Sequence, residues 1–127
     1  MPRLRVPTAA PWAKVVGYSR AIRVANQVFV AGTAPVGEAG DIVAPGDAYA
    51  QAKRCLEIIV AALREAGAEP RHVVRTRMFV RERALWEDVG RAHGEVFGDV
   101  CPATTMVFVD FIDPEMLVEI EADAVID

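Results

Sequence analysis

Cysteine and histidine are scarce in this sequence, with two of each among its 127 residues. Cys55 and Cys101 do not have the paired spacing of a zinc-binding or redox motif. Two isolated cysteines also provide no disulfide framework of the kind that holds small secreted domains together. The sequence therefore predicts neither a zinc site nor a fold that depends on disulfides.

Long apolar runs and an excess of positive charge are also missing. No run approaches the roughly 18 to 20 apolar residues of a membrane span, and residues 1–5 do not resemble a signal peptide. The formal net charge is −4, which argues against a basic surface for nucleic acid. We therefore expect a cytoplasmic protein that binds neither membranes nor nucleic acid.

What is present is the composition of an ordinary globular protein, with 53% hydrophobic and 25% charged residues. We expect one domain over residues 1–127, because this length can enclose one sizeable core. Residues 1–17 contain three prolines and are expected to be extended or irregular. The remaining periodicities and turn signals predict the order β-β-α-β-α-β-β, with strands at 21–24, 28–31, 73–80, 103–109 and 116–126 and helices at about 48–66 and 84–97.

Two details of this interpretation concern which side chains are buried. In the first long helix, Gln51 falls on the side predicted to face water, beside the apolar stripe that includes Cys55 and Leu56. In the strand at 73–80, Val74 is assigned to the same face as Thr76. Both assignments follow from periodicity alone.

Two helices can cover one face of the sheet, so the sequence predicts an α/β (α+β) two-layer sandwich with one sheet and both helices on one side. The other face carries Phe79, Leu117 and Val125 among charged residues. That face must be solvated or buried against another chain. We expect an oligomer whose sheets face inward.

The last strand alternates between apolar and acidic residues, and it carries Glu119, Glu121 and Asp123 on one face. Glu119 could act as a catalytic base, or it could pair with Arg75 or Arg77 across the sheet. Glu121 and Asp123 are interpreted as structural partners of those arginines. We expect no metal here, because one straight strand wraps a cation poorly and no histidine is near in sequence.

Several short motifs occur along the chain in a characteristic order. They are Gly17-Tyr18-Ser19-Arg20-Ala21, Val28-Phe29-Val30-Ala31-Gly32-Thr33, Gly46-Asp47 with Gln51, Ala66-Gly67-Ala68, Val73-Val74-Arg75-Thr76, Glu95-Val96-Phe97-Gly98, Pro102-Ala103 and Leu117-Val118-Glu119-Ile120-Glu121-Ala122. Together with the order of elements, they resemble the Rid (YjgF) family of reactive-intermediate deaminases over nearly the whole chain. The resemblance implies a chorismate-mutase-like fold and a homotrimer with a small-molecule cleft between subunits. It also implies hydrolysis of imines or enamines to carbonyl compounds and ammonia, without a cofactor.

Several site residues are implied by this resemblance. Glu119 matches the acid that handles the proton of the attacking water, which is general acid–base chemistry. Tyr18 matches a tyrosine that lines the cleft. Gly32 matches a glycine whose neighbourhood contacts the substrate, and Ala31 stands where the family usually has serine.

One departure from the family concerns the residue after Pro102-Ala103, where its deaminases carry an arginine that clamps the substrate carboxylate. Here that residue is Thr104, followed by Thr105, and both hydroxyls could instead bind a neutral carbonyl or hydroxyl. A missing two-bond clamp costs roughly 3 to 6 kcal/mol, or about two to four decades in rate or affinity. We therefore expect a substrate other than an ordinary 2-imino acid. The alternative is a non-catalytic trimer that binds small ligands or acts like a chaperone.

Two further side chains, those of His93 and Cys101, are expected to have structural roles. His93 is interpreted as a hydrogen-bonded histidine on the surface of the second long helix. Cys101, which precedes Pro102, is interpreted as an ordinary loop thiol because no base lies beside it in sequence.

Overall fold

The structure is a computed structural model that describes residues 2–127, so the prediction for residue 1 lies outside it. It has the expected mixed α/β architecture, with one six-stranded sheet and its long helices on one face. The predicted order of the seven elements from residue 21 onward is confirmed. The strands are β1 (Leu4–Val6), β2 (Ala21–Val24), β3 (Gln27–Thr33), β4 (Val73–Val80), β5 (Ala103–Phe108) and β6 (Val118–Val125), and the helices are α1 (Ala13–Val16), α2 (Ala48–Glu65) and α3 (Trp86–Phe97).

The last strand, β6, lies in the middle of the sheet, whose order is β1-β2-β3-β6-β4-β5. It pairs antiparallel with β3 on one side and with β4 on the other, and β4 pairs parallel with β5. Its apolar side chains are buried against the helices, whereas Glu119 and its acidic neighbours are half-buried on the opposite face. The alternation predicted from the sequence is thus confirmed. Successive side chains of this central strand point to opposite faces of the sheet, one packed against helices and the other open.

Helix α2 begins where the sequence indicates. The carboxylate of Asp47 accepts a hydrogen bond from the backbone N–H of Ala50 at 3.0 Å, which caps the first turn. The helix buries the predicted apolar stripe against the sheet, including Cys55, Leu56 and Ile59. Gly67 follows with a φ of +89°, a conformation that favours glycine and ends the helix.

The prediction that Gln51 faces water is wrong, because its side chain is fully buried. Its Nε2 donates to the carbonyls of Val43 at 3.1 Å and Glu115 at 2.9 Å, and its Oε1 accepts from the N–H of Leu117 at 2.8 Å. Three distant backbone groups therefore satisfy the buried amide. These bonds join α2 to the 34–46 loop and to the segment before β6.

The prediction for residues 1–17 was only partly right. Between the prolines, the arm forms β1, which pairs antiparallel with β2 through Val6 and Ala21, and the single turn of helix α1. The prolines limit the length of these elements without preventing them, because β1 fits between Pro2 and Pro7 and α1 follows Pro11.

The prediction that Val74 shares a face with Thr76 is wrong, because Thr76 is fully buried. Val74 is 47% exposed, whereas Val73 is buried. The pairing of β4 with β6 shifts by one residue between Val73 and Arg75. Such a bulge reverses the faces on one side of it, so strict alternation fails there.

Candidate functional site

The carboxylate of Glu119 lies against the backbone of Gly32. A Cβ placed on Gly32 would lie 2.8 Å from Oε1 of Glu119 and 3.2 Å from its carboxyl carbon. The pairing of β3 with β6 is irregular between Val30 and Thr33, so Gly32 sits in a bulged part of the ladder. Glycine is needed here for space, because any side chain would displace the carboxylate.

Arg20 brings a positive charge to the same place. Its Nη2 donates to the carbonyl of Gly32 at 2.6 Å, and its Nε is buried without a partner among residues 2–127. Its backbone is fixed between two strands, because its N–H donates to Val6 O at 2.8 Å and its carbonyl accepts from Ala31 N at 3.0 Å. The guanidinium is therefore held beside Gly32 by both backbone and side-chain bonds.

Burial perturbs the protonation of both charged groups. It raises the pKa of the Glu119 carboxyl above its ordinary 4.5, an effect that the positive charge of Arg20 opposes and the negative charge of Glu121 strengthens. Burial also lowers the pKa of Arg20, against the opposing influence of Tyr18 and Glu119. The Glu119 carboxyl is thus closer to neutrality than a carboxyl in water, which suits a group that must accept and return a proton.

These groups line a cleft of about 670 Å³. Tyr18, Arg20, Gly32 and Glu119 contribute to its wall, together with the N-terminal arm, the 34–40 loop and one side of α2. Glu119 and Gly32 come from β6 and β3, which are neighbours in the sheet. Three of the residues predicted for the site therefore share one cleft.

Ala31 lines a different cavity of about 760 Å³ on the open face of the sheet. Tyr18 borders this cavity as well as the cleft, so the two spaces adjoin at its side chain. Glu121 and Asp123 lie on the floor of the cavity, but Glu119 does not line it. We take the cleft as the candidate site because it contains the perturbed carboxyl.

Thr104 and Thr105 do not reach this cleft within one chain. They pair with Thr76 and Arg77 on β4, so two strand spacings, roughly 10 Å, separate their strand from β6. The Thr104 hydroxyl lies 2.8 Å from the hydroxyl of Thr76, which lies 2.8 Å from Nε2 of His93 on α3. Thr104 therefore faces the helix layer, whereas Glu119 lies on the other face of its strand.

His93 has a larger structural role than the sequence indicated. It is half-buried against Phe97, with 5.0 Å between the ring centroids, and it is hydrogen-bonded to the fully buried Thr76. Burial lowers the pKa of His93, so its neutral form is favoured. The predicted hydrogen bonding is confirmed, but the position is not a surface one.

The other acidic residues of β6 have the structural partners that were predicted. Nη1 of Arg77 lies 3.1 Å from Glu121 and 3.4 Å from Asp123. Glu119 lies opposite Phe79 in the ladder instead and makes no ion pair with an arginine of β4. Within residues 2–127, no group of three or more His, Cys, Asp or Glu side chains converges in a way that could hold a metal ion.

Arg20 is the residue of the candidate site that reasoning from sequence missed. It is the only charged residue in the Gly17–Ala21 motif, and that was the available signal. Its neighbours Gly32 and Glu119 are far away in sequence, so the contact could not be read from local spacing.

Comparisons with known proteins agree with this fold. A sequence profile of the family described as endoribonuclease L-PSP matches residues 8–126. The chain belongs to this family. A structure of Rv2704 from Mycobacterium tuberculosis, described as a member of the YjgF/YER057c/UK114 family, is 41% identical, has a TM-score of 0.88 and covers 98% of this chain and 100% of its own. The resemblance to the Rid (YjgF) family is thereby confirmed.

Two curated relatives extend the comparison. SCO2049 of Streptomyces coelicolor is 38% identical over 122 residues, which is 94% of this chain and 90% of that protein. RutC of Acinetobacter baylyi, named a 3-aminoacrylate deaminase, is 34% identical over 107 residues, or 84% of this chain and 85% of that protein.

Within residues 2–127, the structure has no helix that is both long and apolar enough to cross a membrane.

Proposed function

We propose that the protein hydrolyses the C–N bond of a small imine or enamine, with Glu119 transferring the protons. The observation that carries this proposal is the Glu119 carboxyl, which lies against Gly32 in the cleft with a pKa raised by burial. The name of the Acinetobacter relative, a 3-aminoacrylate deaminase, supports the same class of reaction.

The proposed reaction needs a single acid–base group. Water attacks the imine carbon while Glu119 accepts one of its protons. Glu119 returns that proton to the nitrogen, which gives a carbinolamine. It then carries the proton of the new hydroxyl to the same nitrogen, so that the carbonyl forms as the C–N bond breaks and neutral ammonia leaves. An enamine first takes a proton on carbon from the neutral carboxyl, and the resulting carboxylate takes a proton from the nitrogen, which leaves the imine and restores the carboxyl. The net change is imine plus water to carbonyl compound plus ammonia, and no cofactor is required.

In this proposal Tyr18 and the backbone at Gly32 position the substrate, whereas Ala31 lines the neighbouring cavity. Thr104 and Thr105 contribute only from a neighbouring subunit, because they lie far from Glu119 in their own chain. The open face of the sheet supports such an assembly, since Phe29, Val107 and Val125 are 42%, 41% and 39% exposed. We therefore propose a homotrimer with the cleft completed between chains, and a soluble metabolite rather than nucleic acid as its ligand.

A non-catalytic, ligand-binding or chaperone-like trimer is the second candidate function. The state of Thr104 favours it, because its hydroxyl is already hydrogen-bonded to Thr76 and lies 3.1 Å from the carbonyl of Pro102. A hydroxyl engaged in this way is a poor replacement for an arginine clamp. On this ground alone, an ordinary 2-imino acid would be turned over slowly.

The test is a hydrolysis assay in which an amino-acid oxidase generates the imine. Semicarbazide converts the imine that has not been hydrolysed into a semicarbazone. Wild type should lower semicarbazone formation, and Glu119→Gln should not. Activity in Thr104→Arg alone would favour a pocket adapted to another ligand. Activity that survives Glu119→Gln would contradict the assignment of Glu119, and inactivity of every variant would favour the binding-protein function. A solution mass equal to one subunit would contradict the trimer.

A further inference from the structure

The cleft contains two opposite charges that do not neutralise each other. Arg20 and Glu119 both line it, and each affects the pKa of the other. Within the described residues, Arg20 nevertheless makes no ion pair with Glu119 or with another acid; its side chain bonds to the carbonyl of Gly32. A half-buried arginine without an anionic partner is costly, because it loses hydration without gaining a counter-charge.

The guanidinium also has unused hydrogen-bonding capacity. Arginine carries five N–H groups in a planar fork that matches a carboxylate. The bond from Nη2 to Gly32 O fixes the orientation of the group and uses one of these donors. Because the group lines the cleft, an anion that enters there finds a charged, oriented donor.

Arg54 provides a comparison within the same cleft. Its Nε donates to the carbonyl of Val36 at 2.7 Å, and its Nη1 lies 3.4 Å from the carboxylate of Glu57. The charge of Arg54 is therefore partly compensated within the chain. Of these two arginines in the cleft wall, Arg20 is the one that makes no contact ion pair with an acid of the described residues.

We infer that Arg20 binds the carboxylate of the ligand, so that the cleft accepts a small organic acid whose carbonyl or C–N group lies towards Glu119. The position of the ligand's carbonyl or C–N group beside Glu119 rests on the proposed function. The position of its carboxylate rests on Arg20 alone. Thr104 in place of an arginine then does not exclude an acid as substrate, because Arg20, directly before β2, supplies the positive charge beside Gly32.

The experiment measures binding to the whole protein by NMR titration with two probes, 2-oxobutanoate and butanone. The probes differ only in the carboxylate. Wild type should bind 2-oxobutanoate at least about tenfold more tightly, because a charge-assisted contact corresponds to about 10-fold to 100-fold in affinity. Arg20→Gln should lose this preference and Arg20→Lys should keep part of it. Arg64→Gln, at an exposed arginine outside the cleft, should keep it fully.

Several outcomes would overturn the inference: equal binding of the two probes by wild type, no detectable 2-oxobutanoate binding, or an Arg20→Gln variant with the wild-type preference. Arg20→Lys keeps the charge and guards against loss of folding, which a thermal melt of each variant also checks. The imine assay separates this result from the proposed function. Binding that depends on Arg20 without hydrolysis would refute only the reaction, and hydrolysis with a KM unchanged in Arg20→Gln would refute only the role of Arg20.

Discussion

The carboxylate of Glu119 occupies the space that a side chain on Gly32 would need, since its Oε1 lies 2.8 Å from the position of a Cβ on residue 32. Gly32→Ala should therefore push the carboxylate out of place and lower kcat of the imine hydrolysis by about 100-fold, the usual consequence of an error of about 1 Å in a catalytic group. The free energy of unfolding should fall by less than about 2 kcal/mol, because the carboxylate can rotate away. Steady-state kinetics and urea unfolding measure the two effects.

The matched control is Gly94→Ala in the last turn of α3, where a Cβ would meet nothing within 4 Å. This change should stabilise the protein by up to about 1 kcal/mol, because alanine restricts the unfolded chain and favours helix. It should leave the kinetics unchanged. Equal losses of activity in the two variants would refute the steric link between Gly32 and Glu119.

The pH dependence of the reaction should report the perturbed Glu119 carboxyl. If Glu119 accepts a proton from water, kcat/KM should rise with pH through a midpoint above 4.5, because burial raises its pKa. Glu119→Gln should lack this rise of kcat/KM with pH, which is the acidic limb of the pH profile. Arg20→Gln should move the limb to higher pH, because the positive charge of Arg20 is what holds the pKa of Glu119 down.

The free energy of unfolding should also depend on pH, in a direction set by the raised pKa of Glu119. The folded state binds the Glu119 proton more tightly than the unfolded chain, so this group favours folding most below pH 4.5, and the contribution is lost as pH rises through the folded pKa. Glu119→Gln should therefore gain stability relative to wild type between acidic and neutral pH. The opposite trend in the free energy of unfolding would contradict a raised pKa.

The sequence predicted those parts of the fold that follow from local periodicity. The alternation of β6 and the cap at Asp47 depend on neighbours along the chain, and both predictions were confirmed. Gln51 and Arg20 could not be placed, because their partners come from distant segments and their polarity suggests the surface. The cleft itself depends on such contacts, so the sequence could indicate Glu119 but not what surrounds it.

Gln51→Met tests whether the buried amide holds the 34–46 loop and β6 to the helix. Methionine nearly conserves the volume, but the N–H of Leu117 and the carbonyl of Glu115 lose their buried partner. Unfolding in urea should show a loss of about 2 to 4 kcal/mol. Lys53→Met on the exposed side of the same helix should change stability by less than about 1 kcal/mol. Similar values for the two variants would show that the amide is not structural.

Thr76 and Thr104 differ in what their hydroxyls support, although the two are hydrogen-bonded to each other. Thr76→Val should cost about 1 to 3 kcal/mol, because it leaves Nε2 of the half-buried His93 without its partner. Thr104→Val should cost less than about 1 kcal/mol, since Thr104 is exposed on an edge strand and valine suits a strand. Chemical unfolding measures both losses.

The steady-state kinetics of Thr104→Val then test whether Thr104 reaches a cleft in a neighbouring chain. A Thr104→Val protein that is as stable as wild type but has a raised KM would place its hydroxyl near the ligand. In the structure that position is available only from another subunit, because Thr104 lies two strands away from Glu119 in its own chain. Unchanged KM and kcat would show that the hydroxyl serves only Thr76 and the carbonyl of Pro102. Recognition of the substrate would then rest on Tyr18, Gly32 and Arg20.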